Sequence, residues 1–241
     1  MQDFVQLWVY LSATPLFGLT ATLVTYLAAY AFYQRVGHAP WANPVLWTVL
    51  MLALLLTVSG TPYPRYFSGA QFIHFLLGPA VVALGWPLWL RRAELRARVV
   101  PLLGAVLIGG SAAAGSAVLI GWLLGLPPAL LRSLAPKSVT APVAMGIAEQ
   151  LGGVPALAAV FAVLTGLIGA ISGKYLFDAL GRLGPAERGF ALGTAAHGIG
   201  AARAMQVHPD AGAYAALALG LQVILSALLL PLVARVLGLA G

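Results

Sequence analysis

The sequence predicts an all-α polytopic membrane protein, with about six transmembrane helices and two re-entrant or broken helical hairpins forming an inverted repeat. Three observations predict it. Of 241 residues, 61% are hydrophobic and only 8% charged. A soluble domain carries about 25% charged residues, so too few remain here to cover a water-facing surface. Six apolar runs come close to, or exceed, the roughly 20 residues that a helix needs to cross a bilayer. Between them lie two stretches rich in Gly, Ala, Ser and Thr, 134–153 and 189–210, too broken for plain spans and too apolar for solvent loops.

The first run is Phe4 to Tyr33, with Pro15 near its start. It follows Asp3 rather than a basic leader and is too long for a signal peptide, so it is expected to be retained as a span. The second, Pro44 to Ser59, is rich in Leu, and the third, Tyr66 to Leu90, contains Gln71 and His74. The fourth is Val99 to Leu124, the fifth Val154 to Ser172 and the sixth Gly212 to Ala234. Trp8, Trp41, Trp47, Trp86, Trp89 and Trp122 fall near span ends, where an aromatic belt accounts for them. Irregular backbone at membrane depth is tolerated only inside protein or beside a water-filled cavity, which makes the two interrupted stretches the places to look for function.

The net charge of +7 reflects orientation rather than a nucleic-acid partner, because the basic residues cluster between apolar runs. Arg91, Arg92, Arg96 and Arg98 crowd the third link and set it in the cytoplasm. With 134–153 entering and leaving on one face, eight basic residues fall inside and four outside, Arg203 set aside. A full crossing by one irregular stretch, the first, would move Lys174 to Arg188 outside. Two re-entrant hairpins, one from each face, fit the tally better than broken crossing helices. The chain has no cysteine, which excludes disulfides and thiol chemistry. Four histidines and six acids are too sparse for a metal site, and no cofactor is expected.

An internal repeat supports the hairpins. Shifted by 54 residues, Thr140 falls on Thr194, Ala141 on Ala195, Gly146 on Gly200, Pro155 on Pro209 and Gly166 on Gly220, among nine identities over 28 positions. In the expected topology the two copies are inverted, an arrangement typical of secondary transporters that hold substrate between broken helices near the midplane.

The first stretch reads Pro136-Lys137-Ser138-Val139-Thr140-Ala141-Pro142. Ser138 or Thr140 can cap the helix after it, and a helix start at midplane offers free N–H groups to an anion. The bland alternative is hydroxyls that satisfy local backbone. The second stretch holds Thr194, His197, Gly198 and Gly200, in which glycines permit close approach and His197 brings a titratable ring. Here the alternatives are Gly packing faces and a histidine that bonds backbone. Glu149 and Arg203 occupy equivalent repeat positions, either paired across the pseudo-symmetry axis or apart at hairpin ends in the headgroups.

The segments Pro136 to Met145 and Gly193 to Arg203 resemble the LrgB/CidB family, whose members carry PKSVTxPIA and GTASHGIGTARA segments; here Ala196 and Ala201 stand where that pattern has Ser and Thr. The resemblance extends weakly over roughly residues 60–235. It implies two functions. Bacterial members are described as holin-like or antiholin-like modulators of murein hydrolase export and autolysis, acting with a small LrgA/CidA membrane partner. Members are also linked to pyruvate movement, and a plastid relative that resembles a fusion of both halves carries glycolate and glycerate.

The expectation is therefore a secondary transporter of small monocarboxylates in the bacterial inner membrane, possible proton coupling included, with an autolysis modulator as the alternative. No paired carboxylates or nucleophile–base motif supports an enzyme. Residues 1–98 are expected to form a scaffold and homodimer surface, and 99–241 a transport unit with repeats around 134–173 and 189–234. The substrate would lie among Lys137, Ser138, Val139, Thr140, Thr194, His197, Gly198 and Gly200, with His197 as the coupling group and Glu149 as runner-up only if Arg203 does not hold it ionised as an ion-pair partner.

Overall fold

The computed structural model describes residues 16–76, 79, 82, 83, 86, 89, 92–181 and 183–236. Among the described residues every regular element is helical. The chain forms two compact units, residues 1–83 and 84–241.

The first unit contains α1 (Leu16–Arg35), a 3-10 turn (Pro40–Ala42), α2 (Pro44–Ser59) and α3 (Tyr63–Phe75). Asn43 starts α2 by accepting from Val45 N at 2.9 Å and Leu46 N at 3.3 Å, with Pro44 in the first turn, where a missing N–H is harmless. Gly60, at φ 62°, ends it in the left-handed conformation. Gly18 on α1 lies directly against the Tyr66 backbone of α3, and the Thr22 hydroxyl bridges Gly18 O at 2.7 Å and Tyr66 Oη at 2.8 Å. A side chain at position 18 has nowhere to go. Gly18→Leu is expected to destabilise this unit by about 1–3 kcal/mol, read as a lowered unfolding midpoint in detergent. An unchanged midpoint would mean that α1 and α3 do not meet there. The start of the expected first span and most of the third beyond Phe75 lie outside the described residues.

The second unit contains α4 (Arg92–Ala97), α5 (Val99–Leu123), α6 (Pro128–Leu134), α7 (Ala141–Gln150), α8 (Pro155–Leu180), α9 (Pro185–Val207) and α10 (Pro209–Val236). Helices α1, α5, α8 and α10 are long and apolar enough to cross a membrane, and α2 is a shorter apolar helix. With the all-helical architecture, they make this a polytopic membrane protein.

The chain reverses direction twice in this unit. After α6 it turns, runs back through α7, and returns to its point of departure, where Val154 N donates to Ser133 Oγ at 2.7 Å. The second reversal lies inside α9. His197 has φ 42° and ψ −134°, which breaks the helix into two limbs. A Cβ placed on Gly200 would lie 2.7 Å from Leu192 O. In a continuous helix, residues eight apart are about 12 Å apart, so the second limb folds back on the first. Val207 and Arg203, late in the second limb, accordingly share a cavity with Pro185 and Arg188, at the start of the first. Helix α10 then runs parallel to the first limb, Gly189 against Ala211 and Gly193 against Ala215, with glycine permitting backbone contact.

The two reversals begin at opposite ends of α8, whose 26 residues span roughly 39 Å at about 1.5 Å per residue. Small residues dominate the packing between them. Val139, Ala144, Ile147, Ala148, Ala158 and Ala162 form one buried cluster, with Val223 and Leu230 of α10 against it.

Candidate functional site

The two reversals meet tip to tip. A Cβ on Gly198 would lie 3.9 Å from the Thr140 methyl, so the start of α7 faces the start of the second limb of α9. Around that contact Ser138, Val139 and His197 are buried, while Thr140, Gly198 and Lys137 are half-buried.

Each tip residue has a local reason for its place. Thr140 is the N-cap of α7, with extended backbone, yet its side chain makes no capping bond. Ser138 does not cap either; its hydroxyl accepts from Lys137 Nζ at 3.3 Å. Pro142 brings no N–H, and among the described hydrogen bonds none engages the N–H of Thr140, Ala141 or Val143. The helix start therefore presents unspent donors and the positive end of a dipole. Val139 contributes no free donor: its N–H bonds Pro136 O at 3.3 Å and its side chain fills the core.

His197 is the most constrained residue. Its Nε2–H donates to Ala162 O of α8 at 2.7 Å, and its ring lies over Gly166, where a Cβ would sit 2.8 Å from Cε1. Among the described residues no group bonds Nδ1. A non-glycine residue at φ 42° is rare and costs about 1–3 kcal/mol, and Gly198 stands next in the chain, able to take that conformation more cheaply. The imidazole, not the turn, explains why histidine occupies the tip. Lys137 is within electrostatic reach of the ring.

The other expected residues divide. Thr194 does not cap the second limb. It lies in the first limb, one turn short of the tip, with its hydroxyl on Phe190 O at 3.0 Å and its methyl toward Gly109 of α5. Gly200 lies behind the tip, packed on Leu192 and Ala196. Glu149 is exposed near the end of α7, and Arg203 lines the cavity beside Lys174 and Arg188 at the far end of α8. No described ion pair joins them. The physical reason is position along α8: Glu149 precedes its start, and Arg203 lies beside its end.

A cavity of about 610 Å³ opens between α5 and the first limb of α9, from Arg98 and Glu187 at its mouth inward to Gly109 and Thr194. Its floor stops one turn from His197. Sequence reasoning missed a neighbouring face of α5, where buried Gln222 donates to Ser226 Oγ at 3.0 Å and presses on Gly110. The signal was available: two polar residues one turn apart in an otherwise apolar span.

A family model described as "LrgB-like family" matches residues 22–236. An uncharacterized protein of Bacillus subtilis, YxaC, is 35% identical over 88% of this chain and 92% of its own length. An uncharacterized protein of Haemophilus influenzae is 34% identical over 88% of this chain and 94% of its own. A Staphylococcus aureus protein named "Holin-like protein CidB" is 29% identical over 96% of this chain and 97% of its own. No solved structure matches. The chain belongs to the LrgB-like family.

Proposed function

We propose that the protein is a secondary carrier of small monocarboxylates in the bacterial inner membrane, with the substrate held between the two tips. The observation that carries this reading is the approach of two opposed chain reversals at Thr140 and Gly198, with free N–H groups on one side and His197 on the other. Broken helices that meet near mid-membrane and aim their positive ends at one point suit an anion, and they add no mobile counter-charge that would hinder release. Each reversal is a re-entrant hairpin, entering from the face at which it starts. The substrate carboxylate accepts N–H bonds at the α7 start, Lys137 attracts it, and His197 carries a proton alongside it. The cavity that ends at Thr194 is the cytoplasmic approach. Residues 1–83 act as scaffold and homodimer surface.

The second reading is the one that the comparisons favour: a holin-like protein, in keeping with the name of the Staphylococcus relatives; the family resemblance adds modulation of murein hydrolase activity with a small LrgA/CidA-type membrane partner. A holin-like role requires self-association of apolar helices and gives no reason for a strained histidine at the contact of two reversals.

Uptake of pyruvate, glycolate and glycerate into sealed proteoliposomes separates the readings. A carrier gives saturable uptake of at least one of the three and retains a larger trapped dye. Unsaturable entry together with dye loss would sink the carrier reading. Thr194→Val is expected to leave uptake within about threefold of the parent, since the hydroxyl is already spent on Phe190 and a neutral bond of this kind is worth about 1 kcal/mol or less. A loss beyond tenfold would return Thr194 to the substrate's side.

A further inference from the structure

A second cavity, of about 370 Å³, lies in the second unit at the end of α8, away from the tip contact. It is a seam: α8 forms one wall, and the start of the first limb and the end of the second limb of α9 form the other. Its charged lining is Lys174, Arg188 and Arg203 against Asp178, with His208 at the edge. Asp178 is shared. It accepts from Lys174 Nζ at 2.9 Å and from Arg188 Nη1 at 2.7 Å, and all three side chains keep 31–55% exposure. Asp210, beyond His208, is the nearby acid outside the lining, its carboxylate 4.0 Å from His208 Nδ1. Asp178 is thus shared by two of the lining cations, Lys174 and Arg188. The lining also holds the apolar side chains Phe177, Leu183, Leu192 and Val207.

The place matters as much as the charge. The end of a membrane-spanning helix lies at headgroup level, and the basic residues of this end, with Arg92, Arg96 and Arg98 before α5, put it on the cytoplasmic leaflet. A basic pocket between helices on that face, with apolar side chains in its lining, has the chemistry of a phospholipid site. A free inorganic anion would use the charges but not the apolar lining.

We propose that this seam binds the phosphodiester headgroup of an anionic phospholipid, with Lys174 and Arg188 on the phosphate and the glycerol and upper acyl chain against Leu183 and Leu192. Bound there, the lipid ties α8 to both limbs of the second hairpin. It acts on the hairpin without entering the tip contact, and the inference does not depend on the carrier reading.

The test uses the purified full-length protein in detergent, its unfolding midpoint followed as phosphatidylglycerol, phosphatidylcholine or inorganic phosphate is added. Phosphatidylglycerol is expected to raise the midpoint at concentrations where phosphatidylcholine does not. Lys174→Gln should raise the concentration required about fivefold, the worth of one basic residue near a membrane surface. Lys174→Arg should not. Asp178→Asn is the sharper variant, because it frees two cations: a lipid site predicts tighter binding of phosphatidylglycerol, whereas a purely structural ion-pair cluster predicts weaker. If that variant fails to fold, the exposed Lys174→Gln decides alone. Equal shifts with both lipids, an equal shift with inorganic phosphate, or weaker binding by Asp178→Asn would each overturn the proposal.

Discussion

His197→Gln is expected to abolish pH-driven accumulation of substrate while leaving the protein folded in the membrane. An anion moving inward works against a negative interior at about 2.3 kcal/mol per charge per 100 mV. One proton moved with each monocarboxylate removes that cost, which is worth about fifty-fold in the concentration ratio at 100 mV. His197 is placed to carry the proton. Its Nε2–H is committed to Ala162 O, its Nδ1 is unbonded among the described residues, and its ring is a titratable group at the tip contact. Glutamine can still donate to Ala162 O but cannot carry a proton. Uptake by the variant should therefore lose its response to an imposed pH gradient and fall to the level set by the membrane potential. His197→Gly is the companion. It removes the ring and relieves the φ 42° backbone, so the unfolding midpoint should hold or rise while uptake is lost. If His197→Gln concentrates substrate with the parent's pH dependence, the histidine merely bonds a carbonyl and the coupling assignment is wrong.

The second large effect is a lock. The chain has no cysteine, so a pair can be introduced without removing any. Thr140→Cys with Gly198→Cys places two thiols across the tip contact, where the Gly198 Cβ direction meets the Thr140 methyl at 3.9 Å. That separation is within reach of a disulfide with small backbone adjustment. Oxidation should join the tips and stop uptake, and a reductant should restore it. Either single variant should show the same uptake with oxidant as with reductant. A pair that never crosslinks would mean the tips do not meet, and the site would have to be sought elsewhere.

Much of the fold was legible because the bilayer enforces it. The prolines that open α2, α8 and α10 mark helix starts, and the apolar runs mark the spans. Both irregular stretches contain chain reversals, since Gly, Ser and Thr cannot be explained as lipid-facing surface. Helix α9 begins at Pro185, four residues before the expected boundary, because its first turn reads as polar loop until its helical neighbours are known.

What remained illegible depends on direction. A sequence marks Thr194 as a substrate-site candidate, but only the path of the limb shows its hydroxyl turned back onto Phe190. Ser138 and Thr140 sit before a helix start, yet the cap is left open. Glu149 and Arg203 were equivalent by repeat, with pairing and separation both open; the structure sets them at opposite ends of α8. His197 was singled out for its ring, and its backbone strain, the stronger signal, cannot be read from composition.

The central claim is that the tips hold the substrate. Ser138→Cys tests it most directly, because Ser138 is buried at the contact and only a state that opens there exposes it. Labelling by a membrane-impermeant thiol reagent would be followed in sealed vesicles with and without pyruvate, glycolate and glycerate. The account predicts that Cys at position 138 reacts slowly, and that at least one of the three monocarboxylates protects it at saturating concentration. Labelling that proceeds at the same rate whichever monocarboxylate is present would contradict it.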